Sequence, residues 1–353
     1  MPNFSIVMAY MDGNNSFRRR NLFAVIDRCL ELMPDTEIVI AEQGESSQSE
    51  KLSSYNPRLK RIQVDEGNRF HKTKLLNEAI KNTTSDVIVM VDADSYLNEA
   101  AAKSINDGVL LLRQGGIGII YPYDGVDYLS EAQTRTLLGG GTINSKFSFH
   151  GVHIHRQTGL CNMYLRSTWE TVGGFDEEFY EWGAEDDTFM YKIKRKVGNM
   201  CRTPGYVYHL YHPQVDTAAY KNSSVYMTNR KLCACIRRMS DEDFVAYLDK
   251  RVSIGELVDK YNKQNRLDVR LRWPITPSSL LTIDTTIYDI DYGGGVTITK
   301  ILDAVMSEDG AAYIPTFVHE IFDAIPDLSP GQRKEIDDYL ENARKLAELG
   351  NEI

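Results

Sequence analysis

No apolar run in the chain approaches the roughly 18 residues that a membrane-spanning helix needs, and Met1-Pro2-Asn3-Phe4 leads into a strand pattern without a charged n-region or an apolar h-region. A soluble, cytoplasmic protein is therefore expected. Cysteine is scarce: Cys29, Cys161, Cys201, Cys233 and Cys235 are odd in number, and Cys233 and Cys235 stand too close for an ordinary disulfide. No second pair completes a metal spacing, so they read as reduced thiols. Positive charge is in deficit, 40 Lys and Arg against 50 Asp and Glu for a net charge of −10. That balance argues against a broad nucleic-acid surface. There is no internal repeat. What remains, 353 residues at 42% hydrophobic and 25% charged, is globular material sufficient for one large α/β domain and a smaller appendage.

Short β-branched runs alternate with longer amphipathic ones over the first two hundred or so residues, the pattern of a mostly parallel sheet flanked by helices. Strands are predicted at Phe4–Tyr10, Glu37–Ala41, Arg61–Val64, Asp86–Val91 and Ile117–Tyr121, with helices at Ser16–Leu32, Thr73–Lys81 and Glu99–Arg113. Further on, Gly159–Leu165 reads as a returning strand, Ser167–Val172 and Asp186–Lys196 as helices, and Tyr206–Tyr211 as a strand bearing histidines at its end. Between Tyr123 and His155 the periodicity fails among Gly139-Gly140-Gly141, Gly151 and a run of Ser, Thr and Asn. That stretch, with His150, His153 and His155, reads as a long mobile lid. Composition changes near Ser240, giving a first domain over 1–239 and a mainly helical accessory region over 240–353. Ser329–Leu349 opens with a capping box of Ser329 and Gln332 and has Pro330 at its first position. Its apolar face needs a partner, either the first domain or a second copy of the chain.

The chemistry gathers at three places. Asp92-Ala93-Asp94 follows Val87-Ile88-Val89-Met90-Val91, and a buried parallel strand delivers its last residues into the ligand crevice of an α/β sheet. Side chains two apart on a strand point the same way, so both carboxylates can face one cation. His209 and His212 end another predicted strand, and a mixed histidine and carboxylate set with room for phosphate oxygens suits Mn²⁺ or Mg²⁺ better than a closed zinc site. Glu185, Asp186 and Asp187 open a helix, where the dipole stabilises carboxylates, directly after Trp182-Gly183. An indole beside a carboxylate is a platform for a sugar ring with a base within reach. Phe70-His71-Lys72-Thr73-Lys74 begins a helix with two cations, a placement suited to a diphosphate. One of Arg18, Arg19 and Arg20 could also reach phosphate.

Taken in order, these segments resemble the inverting glycosyltransferases of the GT-A fold, and within them the β-1,4-galactosyltransferase and chondroitin-polymerase-like enzymes. Phe70 through Asn77 is similar to that family's Phe-Asn-Arg-Ala-Lys-Leu-Leu-Asn, and Asp92-Ala93-Asp94 to its Asp-Val-Asp. Gly173-Gly174-Phe175 through Asp187 is similar to its Gly-Phe…Trp-Gly-Gly-Glu-Asp-Asp, and His209-Leu210-Tyr211-His212 to its Met-x-x-His metal segment. The resemblance covers Phe4 to His212. It implies that Asp94, His209 and His212 bind the metal, that Lys72 binds the donor with Asp92, that Trp182 meets the sugars, that Glu185 meets the acceptor and that Asp186 is the base. It also implies that Tyr10 and Glu42 lie where related enzymes hold uracil. Two departures stand out: His209 replaces methionine, and Met11-Asp12-Gly13 lacks the arginines of the galactosyltransferases.

The expectation is a metal-dependent hexosyltransferase moving a sugar from a nucleotide diphosphate, UDP above all, to an acceptor hydroxyl with inversion. A glycan is the leading acceptor; lipid, protein and modified nucleobase stay open. Two other readings compete. One is a retaining enzyme resembling the polypeptide N-acetylgalactosaminyltransferases, and the other a nucleotide-sugar-binding module without turnover.

Overall fold

A computed structural model of the chain describes residues 3–44, 49–123, 125–143, 158–213, 220 and 223–263. It divides into two compact units, 1–150 with 157–254, and 151–156 with 255–353. The first unit carries every element considered below except the last helix, and it runs past the composition change near Ser240. Of the second, only residues 255–263 are described. The capped segment Ser329–Leu349 and the histidines at 150, 153 and 155 lie outside the described residues.

A seven-stranded sheet forms the centre of the first unit, in the order β3-β2-β1-β4-β8-β6-β9. Its strands are β1 (Ser5–Tyr10), β2 (Glu37–Gln43), β3 (Leu59–Val64), β4 (Val87–Val91), β6 (Ile117–Tyr121), β8 (Cys161–Leu165) and β9 (Asn199–Arg202). The pairs β1/β2, β2/β3, β1/β4 and β6/β9 are parallel, and β8 runs antiparallel to β4 and β6. Strands covered on both faces carry continuous apolar side chains, and every residue of β1 and β4 is buried. The covering helices include α1 (Ser16–Leu32), α2 (Ser49–Ser54), α3 (Lys72–Lys81) and α4 (Glu99–Gln114), as the parallel crossovers require. α1 starts where it does because the Asn15 side chain accepts from the backbone N–H groups of Phe17 and Arg18.

A second sheet, β5-β10-β7, sits beyond the strand ends, and of its strands only β10 was expected, as the strand read at Tyr206–Tyr211. It consists of β5 (Ser95–Leu97), β7 (Gly125–Tyr128) and β10 (Tyr206–His209), with β10 antiparallel to β5 and parallel to β7. β5 and β7, of three and four residues, are too short for alternation to register in the sequence. The reading of 123–155 as aperiodic loop needs the same correction: β7 is followed by α5 (Glu131–Leu138), whose start is a complete capping box of Ser130 and Gln133. Residues 144–155 of that stretch lie outside the described residues.

The later helices are α6 (Arg166–Thr171), α7 (Glu185–Lys196), α8 (Ser224–Arg238), α9 (Asp241–Leu248) and α10 (Ile254–Lys263). No helix among the described residues is long and apolar enough to cross a membrane. All the cysteines are free, as expected.

Asn77 joins two of the sequence motifs into one contact. Its Oδ1 accepts from the Phe175 N–H (2.9 Å) and the Trp169 indole (3.1 Å), while its Nδ2 donates to the Phe175 carbonyl (2.9 Å). Gly174 has φ +76, and a Cβ there would lie 2.9 Å from Asn77 Oδ1, so only glycine lets the turn close on α3. Asn77→Ala would strand several buried groups and should destabilise the fold by about 2–3 kcal/mol. Urea unfolding checks this, and a change under about 0.5 kcal/mol would remove Asn77 from the scaffold.

Candidate active site

Parallel pairing puts the carboxyl ends of β1, β2 and β4 side by side, with Tyr10 opposite Glu42 in the register. The chain leaves β4 into a turn, and that turn separates the two acids predicted to share one cation. Asp92 faces Lys72, at 3.2 Å, and accepts from the Leu160 N–H at 3.2 Å. Asp94 faces His209 and His212 instead. Side chains two apart align only on a regular strand, and β4 ends at Val91.

Lys72, at the first position of α3, is the centre of the acidic cluster. Its ammonium lies 2.9 Å from Asp186, 3.2 Å from Asp92 and 3.5 Å from Glu185, with a side chain only 10% exposed. The acids reach it because the chain turns through left-handed conformations at Glu181, Gly183 and Ala184 immediately before α7. Strained backbone of this kind persists only where its surroundings hold it. Gly183 has φ +123, and a Cβ there would meet the Tyr226 ring at 2.7 Å. Its N–H donates to Glu185 Oε2 at 2.7 Å, which fixes that carboxylate.

One ammonium cannot neutralise three carboxylates. Burial pushes the Asp186 carboxyl up to about 7, Lys72 works against this, and the charges of Glu185 and Asp92 add to the rise. Burial also opposes the charge on Lys72, but the carboxylates win and hold its pKa well above the ordinary lysine value. The directions agree physically: a cluster with excess negative charge keeps its lysine charged and one acid close to protonated at neutral pH. Asp186 Oδ2 takes the Lys72 contact, while Asp186 Oδ1 has no hydrogen-bond partner among the described residues. Asp187 points elsewhere, accepting from the Thr158 hydroxyl at 2.6 Å.

The other cluster is Asp94, His209 and His212, whose candidate ligand atoms lie within 4.8 Å of one another. His212 Nε2 is 3.3 Å and His209 Nε2 3.7 Å from Asp94 Oδ2. His212 Nδ1 lies 3.2 Å from the Pro213 carbonyl, a contact that only an N–H can satisfy. In a neutral imidazole that leaves the Nε2 lone pair directed at the cluster, the arrangement a metal ligand needs. Burial works against the Asp94 charge, yet when the imidazoles are protonated their charges and the His212 hydrogen bond hold its carboxyl down at about 2. One carboxylate and two imidazoles, partly exposed, fit an open divalent-cation site.

Trp182 is 51% exposed. Its ring lies against Tyr220 (centroids 5.5 Å) and Tyr226 (5.7 Å), and the Tyr220 hydroxyl accepts from its N–H and donates to its carbonyl. Neither tyrosine was foreseen, since they stand some forty positions further along without a motif. Gly159 was missed too. It lies so close to Asp186 that a Cβ there would be 2.6 Å from Oδ2.

One more expectation needs correction. Lys74 pairs with Glu66 and does not join Lys72 in the cluster. A helix turns 100° per residue, so positions two apart face different ways. Glu42 is fully buried and paired with Arg61, and the Tyr10 hydroxyl donates to Asp12 at 2.8 Å. Both lie at the predicted strand ends, but their polar groups serve internal partners. Arg19 pairs with Asp12 at 3.3 Å, and Arg20 donates to the Tyr211 carbonyl at 2.9 Å.

Residues 139–213, less than half of the chain, match the family model described as the N-terminal domain of galactosyltransferase. That stretch contains the acidic turn at 182–187 and both histidines. No curated protein sequence matches the chain. Among solved structures, S. aureus TarS 1-349 in complex with UDP-GlcNAc is 12% identical, with 82% of this chain and 81% of that chain covered and a TM-score of 0.49. GalNAc-T7 with UDP, GalNAc and Mn²⁺ is 14% identical, with 74% and 55% covered and a TM-score of 0.47. These are distant similarities, and the site stands on the side-chain geometry above.

Gly159→Ala tests whether the acidic cluster acts as a unit. The added methyl should displace Asp186 from Lys72 and lower the rate of the reaction proposed below on the order of 10²-fold, with circular dichroism unchanged. A wild-type rate in the folded variant would show that Asp186 placement is not limiting.

Proposed function

Taking the chain as a glycosyltransferase of the GT-A fold with a galactosyltransferase-like segment, we propose that it is a metal-dependent inverting enzyme. It moves a sugar from a UDP-sugar to an acceptor hydroxyl. The observation that carries this reading is Asp186: one carboxylate oxygen is anchored on Lys72, the other has no hydrogen-bond partner among the described residues, and exposed Trp182 stands four residues away. A carboxyl lifted toward neutrality is a better base than an ordinary aspartate, because its conjugate acid is weaker.

In the reaction, Asp186 takes the acceptor proton as the acceptor oxygen bonds to the anomeric carbon and the bond from that carbon to the diphosphate oxygen breaks. Attack from the face opposite the leaving group inverts the centre. Asp94, His209 and His212 would hold the cation, which supplies Lewis-acid neutralisation of the departing diphosphate. The mixed nitrogen and oxygen donor set favours Mn²⁺ over the harder Mg²⁺. Lys72 keeps its charge and holds Asp186 in place. Trp182, backed by Tyr220 and Tyr226, offers an exposed aromatic face for the C–H surface of a sugar, which supports a glycan acceptor.

Asp186→Asn should keep UDP affinity and lose transfer on the order of 10²–10⁴-fold; calorimetry and a transfer assay separate the two. Transfer at the wild-type rate would move the base elsewhere. NMR of the product anomer should report inversion, and retention would overturn the single displacement.

The acid limb of the rate profile should fall near pH 7, with activity rising as Asp186 deprotonates through about 7. Glu185→Gln removes a charge that raises this value, so it should move the limb to lower pH. A limb left at its wild-type position would exclude Asp186 as the titrating base.

A further inference from the structure

The histidine cluster is braced from behind by the N-terminal part of α1. β10 ends at His209, so no sheet ladder fixes Leu210 and Tyr211, the two residues that set the distance between the imidazoles. All their backbone polar groups are nonetheless paired. The Leu210 N–H donates to the Asp94 carbonyl at 2.9 Å, and the Tyr211 N–H donates to the Thr134 hydroxyl of α5 at 2.9 Å. On the acceptor side, Asn21 Nδ2 donates to the Leu210 carbonyl (3.3 Å) and the Tyr211 carbonyl (3.2 Å). Arg20 Nη2 also donates to the Tyr211 carbonyl, at 2.9 Å. Arg20 holds the amide in turn, with Nε at 3.1 Å and Nη2 at 2.8 Å from Asn21 Oδ1. The Phe17 ring stands edge-on to Tyr211 at 5.5 Å.

Asn21 is 0% exposed on a helix face that is otherwise Leu22, Val25, Ile26 and Cys29. A buried amide on such a face is destabilising unless every hydrogen bond is made. Packing alone would put an aliphatic residue there. What the amide gains over leucine is a grip on the peptide groups between the two imidazoles.

We propose that Asn21, held by Arg20, is a positioning residue that fixes the spacing of His209 and His212 before a divalent cation arrives. The inference rests on the metal reading above. Groups behind metal ligands typically change affinity about 10–100-fold when removed. Without Asn21 the 210–211 peptides can rotate, and the imidazoles lose their preset distance.

The test is Mn²⁺ titration of the full chain without nucleotide, read by the EPR signal of free Mn²⁺. Asn21→Leu should raise the half-saturating Mn²⁺ concentration about 10–100-fold, and Arg20→Met should shift it in the same direction. Val25→Ala, one turn along the same buried face, destabilises α1 without touching residues 210–211 and should leave Mn²⁺ binding at the wild-type level. Equal binding in folded Asn21→Leu and wild type would overturn the proposal, as would an equal loss in Val25→Ala. Should Asn21→Leu fail to fold, the partly exposed Arg20→Met decides alone. Wild-type protein that binds no more Mn²⁺ than Asp94→Ala would instead overturn the metal reading, and this inference with it.

Discussion

The site depends on a single buried ammonium. Lys72 lies within ion-pair distance of Asp92, Glu185 and Asp186, carboxylates from the end of β4 and the start of α7. Without it, three acids could not be brought together away from water, because their mutual repulsion and desolvation would have no compensation. With it, the cluster still carries excess negative charge. That imbalance leaves Asp186 close to neutrality in its titration while it stays anchored through one oxygen.

The backbone around the cluster is strained to suit. Leu160 at φ 65 gives its N–H to Asp92, and the left-handed residues at 181, 183 and 184 swing α7 so that its first turn faces Lys72. Non-glycine residues in this region cost about 1–2 kcal/mol each. The scaffold offsets that through buried anchors. Lys192 on α7 donates to the Gly174 carbonyl at 2.8 Å and pairs with Asp176, while Asn77 on α3 grips Phe175. The helix bearing Lys72 and the helix bearing Asp186 are thus tied to one turn.

The second cluster is built differently. Asp94 leaves the large sheet and His209 ends the small one, so the candidate metal ligands lie where the two sheets meet. The Leu129 N–H donates to the His209 carbonyl, the Tyr128 ring lies 4.8 Å from the His209 ring, and α1 holds the residues between the histidines. Three elements far apart in sequence therefore converge on four residues.

By itself the sequence determined the parallel half of the large sheet, the helices between its strands and the residue types of both clusters. Each of these is written in a local pattern: continuous β-branched runs, an apolar helix face, an acid or histidine at a strand end. The short strands β5, β7 and β9 and the short helix α5 were not legible, because so few positions complete no period. Nor was the division of labour within each motif. Asp92 and Asp94 look alike in sequence, yet the turn after Val91 sends one to Lys72 and the other to the histidines. Lys72 and Lys74 look like a pair, yet about half a helix turn separates them and they face different ways. Trp182 announces itself, while Tyr220 and Tyr226 join it only through the packing of α8 and the residues before it. Asn21, an ordinary polar position in a helix read as amphipathic, acquires its meaning from carbonyl groups nearly two hundred residues away. Local pattern fixes which groups are available; only the tertiary fold decides which of them meet, because hydrogen bonds and charge pairs act over a few ångströms and not along the chain.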